Sequence, residues 1–106
     1  AIARFKAVGA ELGLTVATYG HAGDGNLHAN VLYRGPEDLP RVQAALDRLM
    51  EATLALGGTI TGEHGVGSAK ARYLPLEQGP RVVELERNLK VLLDPAQLLN
   101  PGKIFT

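Results

Sequence analysis

LTVATYGHAGDGNLHANVLY, residues 14–33, decides the fold. Val16, Thr18, Val31 and Tyr33 alternate with small or polar residues, the period of a half-buried strand, so residues 14–20 and 27–33 are expected as two strands. Asp24-Gly25 stands between them and is expected as the two-residue turn of a hairpin. Such a turn sets Gly23 opposite Asn26, Ala22 opposite Leu27 and His21 directly across from His28. Opposed residues have Cβ atoms roughly 5 Å apart, so both imidazoles can reach one metal ion. Alternation then sorts the faces: Val16, Thr18, Ala29, Val31 and Tyr33 point one way, Tyr19, His21, His28 and Asn30 the other.

Outward from the hairpin, the period changes to that of helices. Ile2, Phe5, Val8 and Leu12 predict a helix before it, and a second is predicted from Asp38 to Leu56, burying Leu39, Val42, Leu46, Leu49 and Met50 and stopping at Gly57-Gly58. Residues 59–61, TIT, are expected as a short strand. A short helix is expected near Ala69, then a last helix from Leu76 to Leu93 with Val82, Leu85, Leu89 and Leu92 as its inner stripe, ended by Asp94-Pro95. Helix, strand, strand, helix, strand is an incomplete split β-α-β unit of the ferredoxin-like kind with additional C-terminal helices, an α+β fold. Ala1 lies inside the first helix with no capping residue ahead of it, as expected of a piece of something longer.

Composition excludes several function classes. The 106 residues amount to one domain, and 45% of them are hydrophobic, enough for a modest core. Eleven Lys plus Arg balance eleven Asp plus Glu, so no basic field for nucleic acid or anionic membrane is present. Arg4, Lys6 and Glu11 interrupt the N-terminal apolar residues, and no apolar run approaches the about 20 residues that span a bilayer. The absence of cysteine removes disulfides, thiolate metal sites and cysteine nucleophiles, and suits a reducing, cytoplasmic setting.

Two histidines beside a glycine turn are more often hydrogen-bonded surface residues than ligands. The third histidine raises the metal reading, because Glu63-His64 sits between Gly62 and Gly65, where backbone can approach a ligand closely. Two histidines and a carboxylate form a three-ligand set for catalytic zinc that leaves a position open for substrate, and manganese or iron would also accept it. Lys70 and Arg72 are expected on the solvated side of a short helix. Asp24 is expected to serve its own turn, and glycines 20, 23, 25, 62, 65 and 67 to meet backbone needs around the site.

GHAGDGNLH (20–28), GGTITGEHGVGSAKARYL (57–74) and LLDPAQLLNPGKIF (92–105) together resemble the C-terminal domain of FAD-linked oxidases, which include D-lactate dehydrogenase, the flavin subunit of glycolate oxidase and D-2-hydroxyglutarate dehydrogenase. The resemblance implies a flavoprotein whose FAD-binding domain lies outside this chain and whose substrate is a small 2-hydroxy acid. It also implies the roles: His21, His28 and Glu63 as ligands of a divalent metal, His64 as general base, Asn30 beside the substrate and Asn100 near the flavin. Asn100-Pro101-Gly102 is equally an ordinary turn. Basic residues that hold the substrate carboxylate in the family fall upstream of these residues, so the particular acid is not specified here. Two other readings stay open: a transferase like alkyldihydroxyacetone phosphate synthase, and a free-standing ferredoxin-like metal- or ligand-binding module. With the hairpin's histidine face uncovered, self-association is also expected.

Overall fold

A computed structural model describes residues 1–105 and divides the chain into two compact units, residues 1–62 and the remainder from Glu63. The first unit runs α1 (Ile2–Glu11), β1 (Thr15–His21), β2 (Asn26–Leu32) and α2 (Leu39–Ala55). The two strands form an antiparallel sheet, and the fold is α+β. Phe5 and Val8 of α1, Val16 of β1, and Ala45, Leu49 and Ala52 of α2 make one buried cluster, flanked by Leu12, Leu14, Ala29 and Val31. Both helices thus cover the hairpin face that carries Val16, Ala29 and Val31, as the alternation predicts. Tyr33 is the exception: it lies one residue beyond β2 and is exposed, since the strand has already ended.

The second helix ends within a residue of its predicted bounds but buries a different line of side chains. Ala45, Leu49 and Ala52 are its buried residues, Leu39 is exposed, and Val42, Leu46 and Met50 sit half-buried at the flanks. Positions 45, 49 and 52 follow the i, i+4, i+7 spacing, and alanines there let the helix backbone approach the sheet. Arg41 pairs with Asp38 and donates from Nη1 to the carbonyl of Leu12 at 3.2 Å, tying the start of α2 to the end of α1. The Arg34 amide, 3.1 Å from Asp38 Oδ2, and the Arg41 guanidinium hold the Asp38 carboxyl below its ordinary 3.8, against the opposing effect of burial.

Residues 59–61 do not form the expected strand. A strand exists through its ladder, and the sheet among the described residues consists of β1 and β2, so TIT is not part of it although Ile60 is buried.

In the second unit a 3-10 turn (Ala71–Tyr73) leads into α3 (Leu74–Gln78), and α4 (Pro80–Leu93) follows. The short helix expected near Ala69 thus lies further on, and the last helix is broken at Gly79. Gly79 has φ +84, and Pro80 supplies no amide proton, so one helix cannot run through both. Tyr73, Leu74, Val83 and Asp94 are buried. The expected inner stripe of α4 is a correction: Val82, Leu85, Leu89 and Leu92 are all exposed, and Val83 is the buried residue of the helix. Periodicity shows that a helix has an apolar stripe; it does not show which residues of the chain cover it.

Asp94 ends α4 as predicted, and it does more. Its carboxylate accepts from the amides of Leu98 (2.9 Å) and Leu99 (3.0 Å) and pairs with Lys90, whose ammonium also donates to the Leu99 carbonyl at 2.7 Å. The Lys90 bond first, then the Leu98 amide, holds the Asp94 carboxyl below 3.8 while burial opposes.

Candidate functional site

The hairpin carries the first group of functional side chains, in a register different from the one expected. β1 ends at His21 and β2 begins at Asn26, so four residues connect them. Ala22–Asp24 form a 3-10 turn closed by the Gly25 amide on the Ala22 carbonyl at 3.2 Å, with Gly25 at φ +69. A two-residue Asp-Gly turn would require positive φ at both residues, whereas here only the glycine adopts it and Asp24 stays in the 3-10 turn. The longer loop moves the pairing by two residues: His28 faces Tyr19, and His21 faces Asn26. Because the shift is even, period 2 preserves the faces. His21, His28, Tyr19 and Asn30 still share the side opposite Val16 and Val31, and the two histidines become diagonal rather than direct neighbours.

The side chains on that face interlock. The rings of Tyr19 and His28 stack with centroids 5.1 Å apart and planes 20° from parallel. Asn30 Nδ2 donates to the Tyr19 hydroxyl at 3.3 Å. His21 is exposed and His28 half-buried. Between Tyr19 and His21, Gly20 has φ +142, and a Cβ there would fall 2.4 Å from the Asn26 carbonyl oxygen. The strands approach so closely that only glycine fits.

Gly62 closes the first unit at the same end of the hairpin: a Cβ on it would lie 3.3 Å from Asn26 Oδ1, and Asn26 is the register partner of His21. Glu63 and His64 open the second unit, with His64 Nε2 3.3 Å from Glu63 Oε1 and both side chains substantially exposed. In a neutral imidazole bonded to a carboxylate, the nitrogen facing the acid carries the proton, which leaves Nδ1 as the basic nitrogen. Asn100 is exposed at φ +47, in the turn that follows the segment held by Asp94. Arg72 is not merely solvated. Its guanidinium lies 4.7 Å from the centroid of the Tyr73 ring, and Nη2 donates to the Tyr73 hydroxyl at 2.5 Å.

Two features escaped the reading of the sequence. The Tyr19–His28 stack needed the true register, although alternation had already put both residues on one face. A cleft of about 500 Å³ between Leu14, Leu32, Arg34, Glu37 and Arg41 lies at the far end of the ladder from the histidines. Nothing in the spacing of those residues signals a cavity.

The described chain thus combines an α+β unit that carries two imidazoles on its open hairpin face with a Glu-His pair next in sequence after that unit. The chain belongs to the family described as FAD linked oxidases, C-terminal domain, whose model matches residues 1–104. It is 42% identical over 100 residues to glycolate oxidase subunit GlcD of Bacillus subtilis, covering 92% of this chain and 21% of that protein. It is 47% identical over 89 residues to the mitochondrial D-lactate dehydrogenase (cytochrome) 1 of Saccharomyces cerevisiae, covering 84% of this chain and 15% of that one. The match to D-lactate dehydrogenase of Archaeoglobus fulgidus is 44% over 95 residues, 89% of this chain and 21% of the relative. The chain therefore spans about a fifth or less of the length of these relatives. Among the described residues, no helix is long and apolar enough to cross a membrane.

Proposed function

We propose that the chain is the metal- and base-bearing part of an FAD-dependent oxidoreductase that converts a small 2-hydroxy acid to the 2-oxo acid. The carrying observation is the hairpin face, where His21 and His28 stand together away from the core. His21, His28 and Glu63 would hold a divalent ion, zinc by preference. The donor set fits, because two imidazoles and one carboxylate leave an open coordination position. Glu63 follows directly in sequence after Gly62, the last residue of the first unit. When bound, the ion would make the substrate hydroxyl more acidic and the flavin would supply the hydride acceptor.

This chain's residues do the remaining work. Asn30, on the same face, can donate to a substrate oxygen. His64 takes the hydroxyl proton at Nδ1 while Glu63 orients its ring through Nε2. Asn100, in the turn that follows the segment held by Asp94 and Lys90, would lie near the flavin. The FAD-binding domain, supplied by sequence outside these residues, is the principal partner, with association of identical chains as a second. One relative is named mitochondrial, and a cytoplasmic location for this chain is supported by its cysteine-free composition.

Two substitutions in the full-length flavoprotein separate the roles. Glu63→Ala should lower metal content and turnover together. His64→Ala should keep the metal and lose about 100- to 10,000-fold in rate. Elemental analysis beside steady-state kinetics reads both, and a His64→Ala protein stripped of metal refutes the assignment.

A further inference from the structure

We propose that Tyr19 is a positioning residue for His28: its ring, stacked on the imidazole and tethered by Asn30, presets the orientation in which His28 binds metal. The inference rests on the reading of His28 as a ligand, and adds a residue which that reading does not include.

Tyr19 and His28 are direct partners in the ladder, so their Cβ atoms start at cross-strand distance. The rings use that proximity fully, with centroids at 5.1 Å and planes 20° apart, an offset stack. Tyr19 is 57% exposed and lies on the face turned away from the hydrophobic cluster, so burial in the core does not hold it there. What holds it is the imidazole on its face and the Asn30 amide on its hydroxyl, 3.3 Å away.

The geometry suits a ligand. A metal binds an imidazole nitrogen in the plane of the ring, at its edge. A stacked neighbour covers the face instead, so it blocks rotation about the Cβ–Cγ bond without occupying either nitrogen. A histidine on an open sheet face otherwise loses side-chain freedom when it binds an ion, and a ring that is already held loses less. Groups that orient metal-bound histidines act in this way, usually through a hydrogen bond to the second nitrogen. Here the orienting contact is made to the face. The hydroxyl has a separate task, as the acceptor that fixes Asn30.

Zinc affinity by chelator competition, measured on the whole protein, tests the proposal. Tyr19→Leu removes the stack and should weaken zinc binding by about 2- to 12-fold, the range an aromatic pair supplies. Tyr19→Phe keeps the ring and should bind zinc within about twofold of the parent, since stacking needs only the ring face. His28→Ala should abolish tight binding. A direct readout needs neither substitution nor metal: in histidine-labelled, metal-free protein, the ring protons of His28 should be shifted upfield by the Tyr19 ring current, and those of His21 should not. Failure of the proposal and failure of the underlying reading are distinguishable. If His28→Ala abolishes binding while Tyr19→Leu changes nothing, or if His28 shows no upfield shift, Tyr19 has no positioning role and the ligand assignment stands. If His28→Ala leaves zinc affinity intact, the ligand assignment falls and the proposal with it.

Discussion

Three alanine substitutions in one hairpin should differ in cost although the sequence presents them as equivalent glycines. At Gly20 a side chain meets two obstacles. The backbone has φ +142, which L-residues rarely adopt, and the new Cβ would sit 2.4 Å from the Asn26 carbonyl oxygen and 3.1 Å from Leu27 Cα. Since ordinary contact starts at 3.4 Å, β1 and β2 must separate there by close to an ångström. Backbone strain of about 1–3 kcal/mol and overpacking of similar size combine to a loss of about 2–6 kcal/mol for Gly20→Ala. Gly25→Ala meets only the left-handed conformation at φ +69, with no atom within 4 Å, and should cost about 1–2 kcal/mol. Gly23→Ala meets neither obstacle and should fall within about 0.5 kcal/mol of the parent, because a lost glycine also restricts the unfolded chain. Urea unfolding followed by far-ultraviolet circular dichroism gives the three values. Equal stability of the Gly20 and Gly23 variants, or a larger loss at Gly25 than at Gly20, would refute the close approach of the strands.

Leu49→Ala in the buried cluster should destabilise the 106-residue chain by about 2–5 kcal/mol. Leu85→Ala on the exposed stripe of α4 should change it by less than about 0.5 kcal/mol, and thermal melts that move equally would mean the stripe is covered. Asp94 makes stability depend on acid. Its carboxyl is held below 3.8 in the folded chain, so its contribution is complete above the unfolded value and disappears as pH falls through the lower folded one. The stability gap between the parent and Asp94→Asn should be widest near neutral pH and close below pH 3.8. A gap that stays constant across a pH series of denaturation midpoints would show that the Lys90, Leu98 and Leu99 contacts leave the titration untouched.

Some of these features were legible before any coordinates. Alternation placed Val16, Thr18, Ala29 and Val31 toward the helices and both histidines away from them, because side chains of a strand must alternate whatever its partner. The even register shift could not disturb that result. The helices around Phe5-Val8 and Leu49 were equally legible as helices, since their apolar residues recur at helical spacing. The motif residues His21, His28, Glu63 and His64 were legible as chemistry, because imidazole and carboxylate donors recur there between glycines.

What the sequence determined alone is therefore local: periods, faces, helix ends such as Asp94-Pro95, and the kinds of donor the motifs carry. Tertiary structure decided what depends on partners. Asp24-Gly25 is compatible with several loops, and the lowest strain, with only Gly25 at positive φ, selected the one that pairs His28 with Tyr19. TIT has strand composition but does not join the sheet of β1 and β2. Val82, Leu85, Leu89 and Leu92 form an apolar stripe that the described chain leaves exposed, while the carboxylates of Asp38 and Asp94 are buried among amides and cations from other turns of the chain. Periodicity is a property of one segment, whereas register, burial and ion pairing are properties of two, and only the packed chain brings the second segment into place.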